Sequence, residues 1–190
     1  MNLMRVLLLK SFLVSFIFFC CTSCNKQTCE YYSNKAGILF QQRKYDKAVV
    51  CYSKAIDCCS SKIELYYFRA ESYLCLKNYY LALRDINYVI NSDFNYQNAH
   101  FIRGIIYRNT LQYEKSFNDF SYELEKHPQK SSVLLERSIL YYQINNIQLA
   151  FEDVNRALMT DSLNTESLLH RARLYTALEN DSLSKNDLKK

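Results

Sequence analysis

Four arginines and four aspartates recur at a fixed spacing, and they are the charged side chains best placed for electrostatic chemistry. The arginines lie 34 residues apart and each aspartate follows its arginine by 16; the set is Arg69, Arg103, Arg137 and Arg171 with Asp85, Asp119, Asp153 and Asp187. One interpretation is an anionic ligand bound by the arginines. Because every arginine comes with its own aspartate, we favour ion pairs, formed within a repeat or between neighbouring repeats, that fix how helices pair.

The sequence contains no pattern that is typical of catalysis or of metal binding. His100, His127 and His170 are scattered, there is no His-Glu-x-x-His motif, and two glycines cannot build a glycine-rich phosphate loop. After the amino-terminal segment, no Cys or His spacing is typical of zinc. The charges, net +5, are interspersed rather than clustered, which disfavours nucleic acid as a partner. We therefore expect a protein that is not an enzyme and that needs no cofactor or metal.

The 34-residue period also predicts the architecture, since such a period is typical of chains built from stacked helical hairpins. One proline and two glycines favour long helices joined by short turns. Further positions recur in the same register, at spacings of three, four and seven that place them on one helix face. A small residue recurs at Ala36, Ala70, Gly104, Ser138 and Ala172, and a tyrosine three residues later at Tyr73, Tyr107, Tyr141 and Tyr175.

This pattern resembles the tetratricopeptide repeat (TPR), whose consensus has small and aromatic residues in this order. The resemblance implies an all-α fold, a right-handed α-solenoid of about four and a half TPR helix-turn-helix repeats, each with a helix A and a helix B. The TPR domain would span 29–190, with repeats at 29–62, 63–96, 97–130 and 131–164 and a partial repeat at 165–190. Repeat one has Lys35 and Cys51 in place of the arginine and aspartate, so it lacks the ion pair.

In the TPR family, helix A residues line a concave surface that takes peptides. Carried to this sequence, the resemblance implies a partner groove formed by Tyr67, Phe68, Glu71, Phe101, Ile105, Arg108, Ile139 and Tyr142. The middle of this set is apolar and aromatic, as is typical of interface anchors. The alternative is that some of these side chains pack against neighbouring helices. A protein or peptide partner is the expectation, whose identity the sequence does not reveal.

The hairpin arrangement implied by the resemblance also brings cysteines together. The start of helix A lies beside the end of helix B, so Cys29 would lie near Cys58 or Cys59. An oxidising compartment would permit a disulfide there, with Cys29–Cys58 as the candidate pair. The alternative is that the cysteines are small buried apolar residues, which we expect for Cys51 and Cys75.

The amino-terminal segment, 1–23, is predicted to be a secretory signal peptide, because a basic start is followed by a short apolar run. The run ends in Thr22-Ser23-Cys24, which resembles the lipobox of bacterial lipoproteins, although Cys21 replaces the usual aliphatic residue. The resemblance implies lipidation of Cys24, a short tether at 24–28 and a lipid-anchored membrane protein of the cell envelope, in the outer membrane facing the periplasm. An uncleaved membrane anchor is the alternative. A redox role for the Cys-x-x-Cys spacing is disfavoured, since no βαβ pattern follows it.

These features predict a non-enzymatic protein–protein interaction scaffold, a lipid-anchored envelope adaptor that binds a peptide or protein in its concave groove. An accessory lipoprotein for carbohydrate binding or uptake, whose aromatic groove stacks on sugars, is the alternative. A third reading is a purely structural spacer.

Overall fold

The computed structural model describes residues 26–178 together with Asp187 and Lys189. In this part of the chain all regular structure is helical, which confirms the prediction of an all-α fold. The helices are α1 (Lys26–Gln41), α2 (Tyr45–Cys58), α3 (Ile63–Cys75), α4 (Tyr79–Ser92), α5 (Ala99–Asn109), α6 (Tyr113–Lys126), α7 (Ser131–Gln143), α8 (Ile147–Thr160) and α9 (Thr165–Ala177). The odd-numbered helices are the A helices of successive repeats, and the even-numbered ones are the B helices.

The turn between helix A and helix B has the same backbone geometry in four repeats. Its central residues take a φ of 57 to 61°, and they are Arg43, Lys77, Leu111 and Asn145. The N–H of the next residue donates to a carbonyl five residues back, as Asn146 does to Tyr141 at 2.8 Å. This is the hydrogen bond of a Schellman helix end, which normally favours glycine at the left-handed position. The sequence period is therefore also a period of the backbone.

The chain divides into two compact units, Met1–Tyr88 and Val89–Lys190, each with its own buried side chains. In the first unit α1, α2 and the start of α3 enclose a core of Cys29, Ala36, Ala48, Cys51, Tyr52, Ala55, Ile56 and Leu65. In the second unit one core cluster surrounds Phe120 and Leu134, and another surrounds Val154 and Leu168. The alternation of small and large residues lets the helices of a hairpin approach closely.

The predicted signal peptide, the predicted lipidation site at Cys24 and the first part of the predicted tether lie outside the described residues. Among the helices of 26–178, none has both the length and the apolarity that crossing a membrane requires.

The two glycines occupy contrasting places in their helices. A Cβ added at Gly104 in α5 would lie 2.6 Å from ring carbon Cε1 of Phe120, and Phe120 is fully buried. A Cβ added at Gly37 in α1 would have nothing within 4 Å. The first glycine is thus required by close packing, whereas the second faces open space.

We expect Gly104→Ala and Gly37→Ala to change stability in opposite directions. The first should lower the free energy of unfolding by about 1–3 kcal/mol, because the added methyl overpacks the core. The second should raise it by about 1 kcal/mol, because alanine has the higher helix propensity. Urea denaturation of both variants is the measurement, with Gly104→Ala/Phe120→Leu as the variant that should recover part of the loss. A Gly104→Ala variant at least as stable as wild type would show that the ring of Phe120 can move aside for the added methyl group.

Candidate functional site

All four predicted Arg–Asp pairs form inside their own repeats. The shortest N–O distances are 2.6 Å for Arg69–Asp85, 2.7 Å for Arg103–Asp119, 2.6 Å for Arg137–Asp153 and 2.6 Å for Arg171–Asp187. Each guanidinium donates through two nitrogens to the two oxygens of its aspartate, and all four aspartates are buried. Because the arginines are paired with aspartates of their own repeats, the structure favours the structural interpretation over an anion-binding site.

Repeat three extends its ion pair into a buried network. The Nδ1 of His100 lies 3.0 Å from Oδ1 of Asp119, and its Nε2 lies 3.0 Å from the carbonyl oxygen of Phe94. Burial acts to raise the pKa of Asp119, but hydrogen bonds from Arg103 and His100 lower it below its usual value. Arg103 and His100 thus favour the ionised form of the Asp119 carboxylate. The buried ring of His100 is positioned in turn by this carboxylate and by the carbonyl of Phe94.

The first unit contains a cavity of about 450 Å³ on the surface formed by its A helices. It is lined by Ser33, Asn34, Gly37, Ile38, Phe40 and Gln41 of α1, Tyr52 of α2, and Phe68 and Glu71 of α3. The structure thereby brings two predicted groove residues, Phe68 and Glu71, to one open site. Phe68 is 40% exposed, whereas Tyr67, which was predicted to line the groove, is buried. The hydroxyl of Tyr67 donates to Oε1 of Glu71 at 3.2 Å, so Tyr67 orients the carboxylate although Tyr67 itself does not line the cavity.

Tyr52 is a residue of this site that the sequence analysis did not identify. The same repeat position is Ile, Phe, Val or Leu in the other repeats, which is typical of a core position, and the Tyr52 ring is buried. The ring stacks on Phe68 with centroids 6.0 Å apart and an interplanar angle of 17°. Burial, and then the charge of Glu71, raise the pKa of Tyr52 to about 12. The signal in the sequence was the single polar aromatic at this repeat position.

Glu71 lies in an environment that disfavours its charge. Burial raises the pKa of its carboxyl group, and the hydrogen bond from Tyr67 only partly opposes that effect. The other side chains that line the cavity are aromatic, aliphatic or uncharged polar groups. The cavity therefore combines two rings on one wall with one isolated carboxylate.

In the second unit the predicted groove residues are mostly engaged in packing. Phe101 and Ile105 pack against the cluster around Phe120, and Ile139 packs against the cluster around Val154. Tyr142 is 39% exposed. The three apolar residues thus contact a core cluster on one side and keep part of their surface exposed, and their place in a groove stays a prediction.

Arg108, the charged member of the predicted groove in this unit, is paired rather than open. Its Nη2 lies 2.8 Å from Oε2 of Glu136. Burial raises the pKa of Glu136, while the charge of Arg108 acts to lower it. Nearby, burial lowers the pKa of His170 to about 4, and its Nε2 lies 3.0 Å from Oγ of Ser138. His170 is therefore neutral at pH 7 and belongs to the interior.

The cysteines of the first unit form one described disulfide, between Cys29 and Cys59. The candidate pair Cys29–Cys58 is therefore wrong by one residue: Cys29 bonds to Cys59, and Cys58 has an interaction of its own. Cys51 is a buried free thiol, as expected, whereas Cys75 is exposed, contrary to expectation. Cys75 is the last residue of α3, and its thiol is hydrogen-bonded to the side chain of Tyr45.

A second cavity, of about 560 Å³, lies in the second unit between the turn at 95–98 and the end of α6 with the turn that follows it, 122–130. The sequence analysis missed it, because irregular turns carry no periodic signal. Lys126 donates to Oδ1 of Asn95, and Lys130 donates to Asn98 and to Oε2 of Glu123 at 2.9 Å. The ammonium groups of Lys126 and Lys130, which line the cavity, are thus already hydrogen-bonded within the protein. Across residues 26–178, 187 and 189, no His, Cys, Asp and Glu side chains group into a metal site.

The sequence matches no protein-family model and no curated protein. Solved structures do match in fold. A tetratricopeptide repeat protein from Parabacteroides merdae is 19% identical, with a TM-score of 0.76 over 97% of this chain and 72% of that one. TTC0263, a TPR protein of Thermus thermophilus, is 16% identical, with a TM-score of 0.74 over 84% and 87%. YrrB, described as a TPR protein with an unusual peptide-binding site, is 15% identical, with a TM-score of 0.60 over 83% and 81%. The chain therefore has the fold of an all-α TPR solenoid, as its 34-residue pattern predicted.

Proposed function

We propose that the protein is a non-enzymatic adaptor that binds a peptide or protein segment on the surface of its A helices. The observation that carries this proposal is the open cavity of the first unit, which has exposed apolar side chains at its rim. Ile38 is 57% exposed and Phe68 is 40% exposed. Exposed apolar clusters on a scaffold usually mark a partner site. The peptide-binding site described for YrrB is consistent with such a role for the fold.

We also propose that the adaptor is lipid-anchored through Cys24 and works in the cell envelope, at the outer membrane facing the periplasm. The lipobox-like Thr22-Ser23-Cys24 supports the anchor. The Cys29–Cys59 disulfide supports an oxidising compartment, because structural disulfides are rare where thiols are kept reduced. Cys24→Ala should move the protein from the membrane fraction to the soluble fraction. Retention in the membrane would instead favour an uncleaved anchor.

Site-specific photocrosslinking in the native cells tests the binding surface. A benzophenone side chain placed at Ile38, which lines the cavity, should crosslink to a partner. The same group placed at Tyr80 should not, since Tyr80 is 80% exposed but lies away from the cavity. Phe68→Ala should abolish the Ile38 crosslink. Crosslinks that are equal from both positions, or that survive Phe68→Ala, would place the partner surface elsewhere.

A further inference from the structure

The cavity of the first unit carries an uncompensated negative charge. Glu71 is the charged residue among those that line it. Glu71 is partly buried, and a carboxylate withdrawn from water in this way is more stable with a cation beside it, as the fully buried aspartates of the Arg–Asp pairs have. Among the ion pairs of the described residues, none includes Glu71, and its side-chain partner is the neutral hydroxyl of Tyr67. Among the described residues, the carboxylate of Glu71 therefore has no lysine, arginine or histidine side chain paired with it.

The walls beside this carboxylate are aromatic. Phe68 stacks on Tyr52, and Phe40 lines the cavity from α1 with its ring 5.3 Å from that of Tyr45. Aromatic faces attract cations, by about 0.5–2 kcal/mol for each close contact. The same faces pack against the aliphatic stem of a long basic side chain, whose charged end then reaches beyond them. Gly37 keeps one side of the cavity open, because no atom lies within 4 Å of where its Cβ would be.

We propose that this cavity binds a lysine or arginine side chain of the partner peptide, with Glu71 as counter-ion and Phe68, Tyr52 and Phe40 as its walls. The inference rests on the proposed function and names the chemistry of the bound segment. An acidic segment would bring like charge to Glu71, and a neutral apolar segment would cover the partly buried carboxylate without pairing its charge. Only a basic side chain satisfies the carboxylate and the rings together.

If the carboxylate of Glu71 serves to bind a ligand, it should destabilise the folded protein when no ligand is bound. The pKa of Glu71 is raised in the folded state, so ionisation at pH 7 opposes folding, and this penalty fades as the pH falls through the raised value. Glu71→Gln is therefore expected to raise the thermal midpoint at pH 7, with the gain shrinking toward pH 4. Glu30→Gln is the matched control, because it removes the same charge from an exposed position of α1 and should change little. A lower midpoint for Glu71→Gln would mean that the carboxylate is structural.

Binding is tested with a library of acetylated hexapeptide amides on the full-length, detergent-solubilised protein with its disulfide intact. Wild type should select peptides with Lys or Arg at one position. Replacing that residue by norleucine or citrulline should weaken binding about tenfold, as expected for a partly desolvated charge contact. Glu71→Gln should abolish this discrimination, and Glu30→Gln should preserve it.

The outcomes separate the two proposals. Selected peptides that bind equally with lysine and with norleucine would overturn the cation pocket, while leaving peptide binding on this surface intact. Selection of acidic peptides would overturn it in the same way. Tenfold discrimination that is lost in Glu71→Gln, together with a raised midpoint, would establish Glu71 as a binding group, since a purely structural residue would not combine these two effects.

Discussion

Replacing Arg137 by leucine is expected to lower the free energy of unfolding by about 3 kcal/mol, because the buried carboxylate of Asp153 loses the guanidinium that donates to both of its oxygens and keeps the more exposed Arg156, 3.5 Å away. The Asp153 side chain is 4% exposed and accepts from Nε and Nη2 of Arg137 at 2.6 and 2.9 Å. The lost apolar contact is small, since leucine can still pack beneath Phe117 and Tyr141, which now flank the guanidinium at 6.0 and 5.8 Å. Urea denaturation monitored by circular dichroism measures the effect.

The double variant Arg137→Leu/Asp153→Leu separates the pair from its surroundings. Removing both charges removes the desolvation cost of both, so the double variant should be more stable than Arg137→Leu alone. Equal unfolding midpoints for the single and double variants would contradict a coupled pair. Each aspartate has a second neighbour, but the two neighbours differ in distance and exposure. Arg156 lies 3.5 Å from Asp153 and is 41% exposed, whereas the buried His100 lies 3.0 Å from Asp119 and should compensate more for the loss of the arginine. We therefore expect Arg103→Leu to cost less than Arg137→Leu.

The predictions that succeeded are those that depend on the repeat itself. A 34-residue period requires the same backbone geometry in every unit, so one pairing of positions, such as Arg137 with Asp153, implies the others. The groove predictions depended instead on which side of helix A faces solvent. Tyr67 and Phe68 are neighbours in sequence, yet Tyr67 is buried and Phe68 is exposed. A helix turns by about 100° per residue, so a family-wide position cannot decide between them once the local packing shifts.

The Cys29–Cys59 disulfide shows the same limit at the level of a single residue. Both candidate partners lie at the end of α2, and the hairpin geometry could not distinguish them. Helix α2 ends at Cys58, and Cys59 leaves the helical conformation with φ −140°. The chain direction at that helix end decides which sulfur meets Cys29, and a periodic pattern contains no information about it. Repeat one, which lacks the Arg–Asp pair, has this covalent link in its place.

Cys29→Ser/Cys59→Ser is expected to lower the free energy of unfolding by about 3–4 kcal/mol, since the bond closes a loop of 30 residues in the unfolded chain. Wild type unfolded in the presence of reductant should approach the midpoint of this variant. Cys75→Ser, which removes an exposed free thiol, is the control and should leave the midpoint unchanged. A reduced wild type as stable as the oxidised protein would show that the first unit does not depend on the bond.

The same bond links the fold to the compartment. If the protein works in the envelope, Cys29 and Cys59 should resist alkylation when growing cells are quenched with acid and treated with a maleimide. Reduced thiols at both positions would contradict the proposed location, because a cytosolic protein keeps such pairs reduced. Cys75 should be alkylated in either compartment, which shows that the reagent has reached the protein. Repeat one contributes most of the residues that line the cavity of the first unit. Loss of the disulfide should therefore also weaken peptide binding at this cavity.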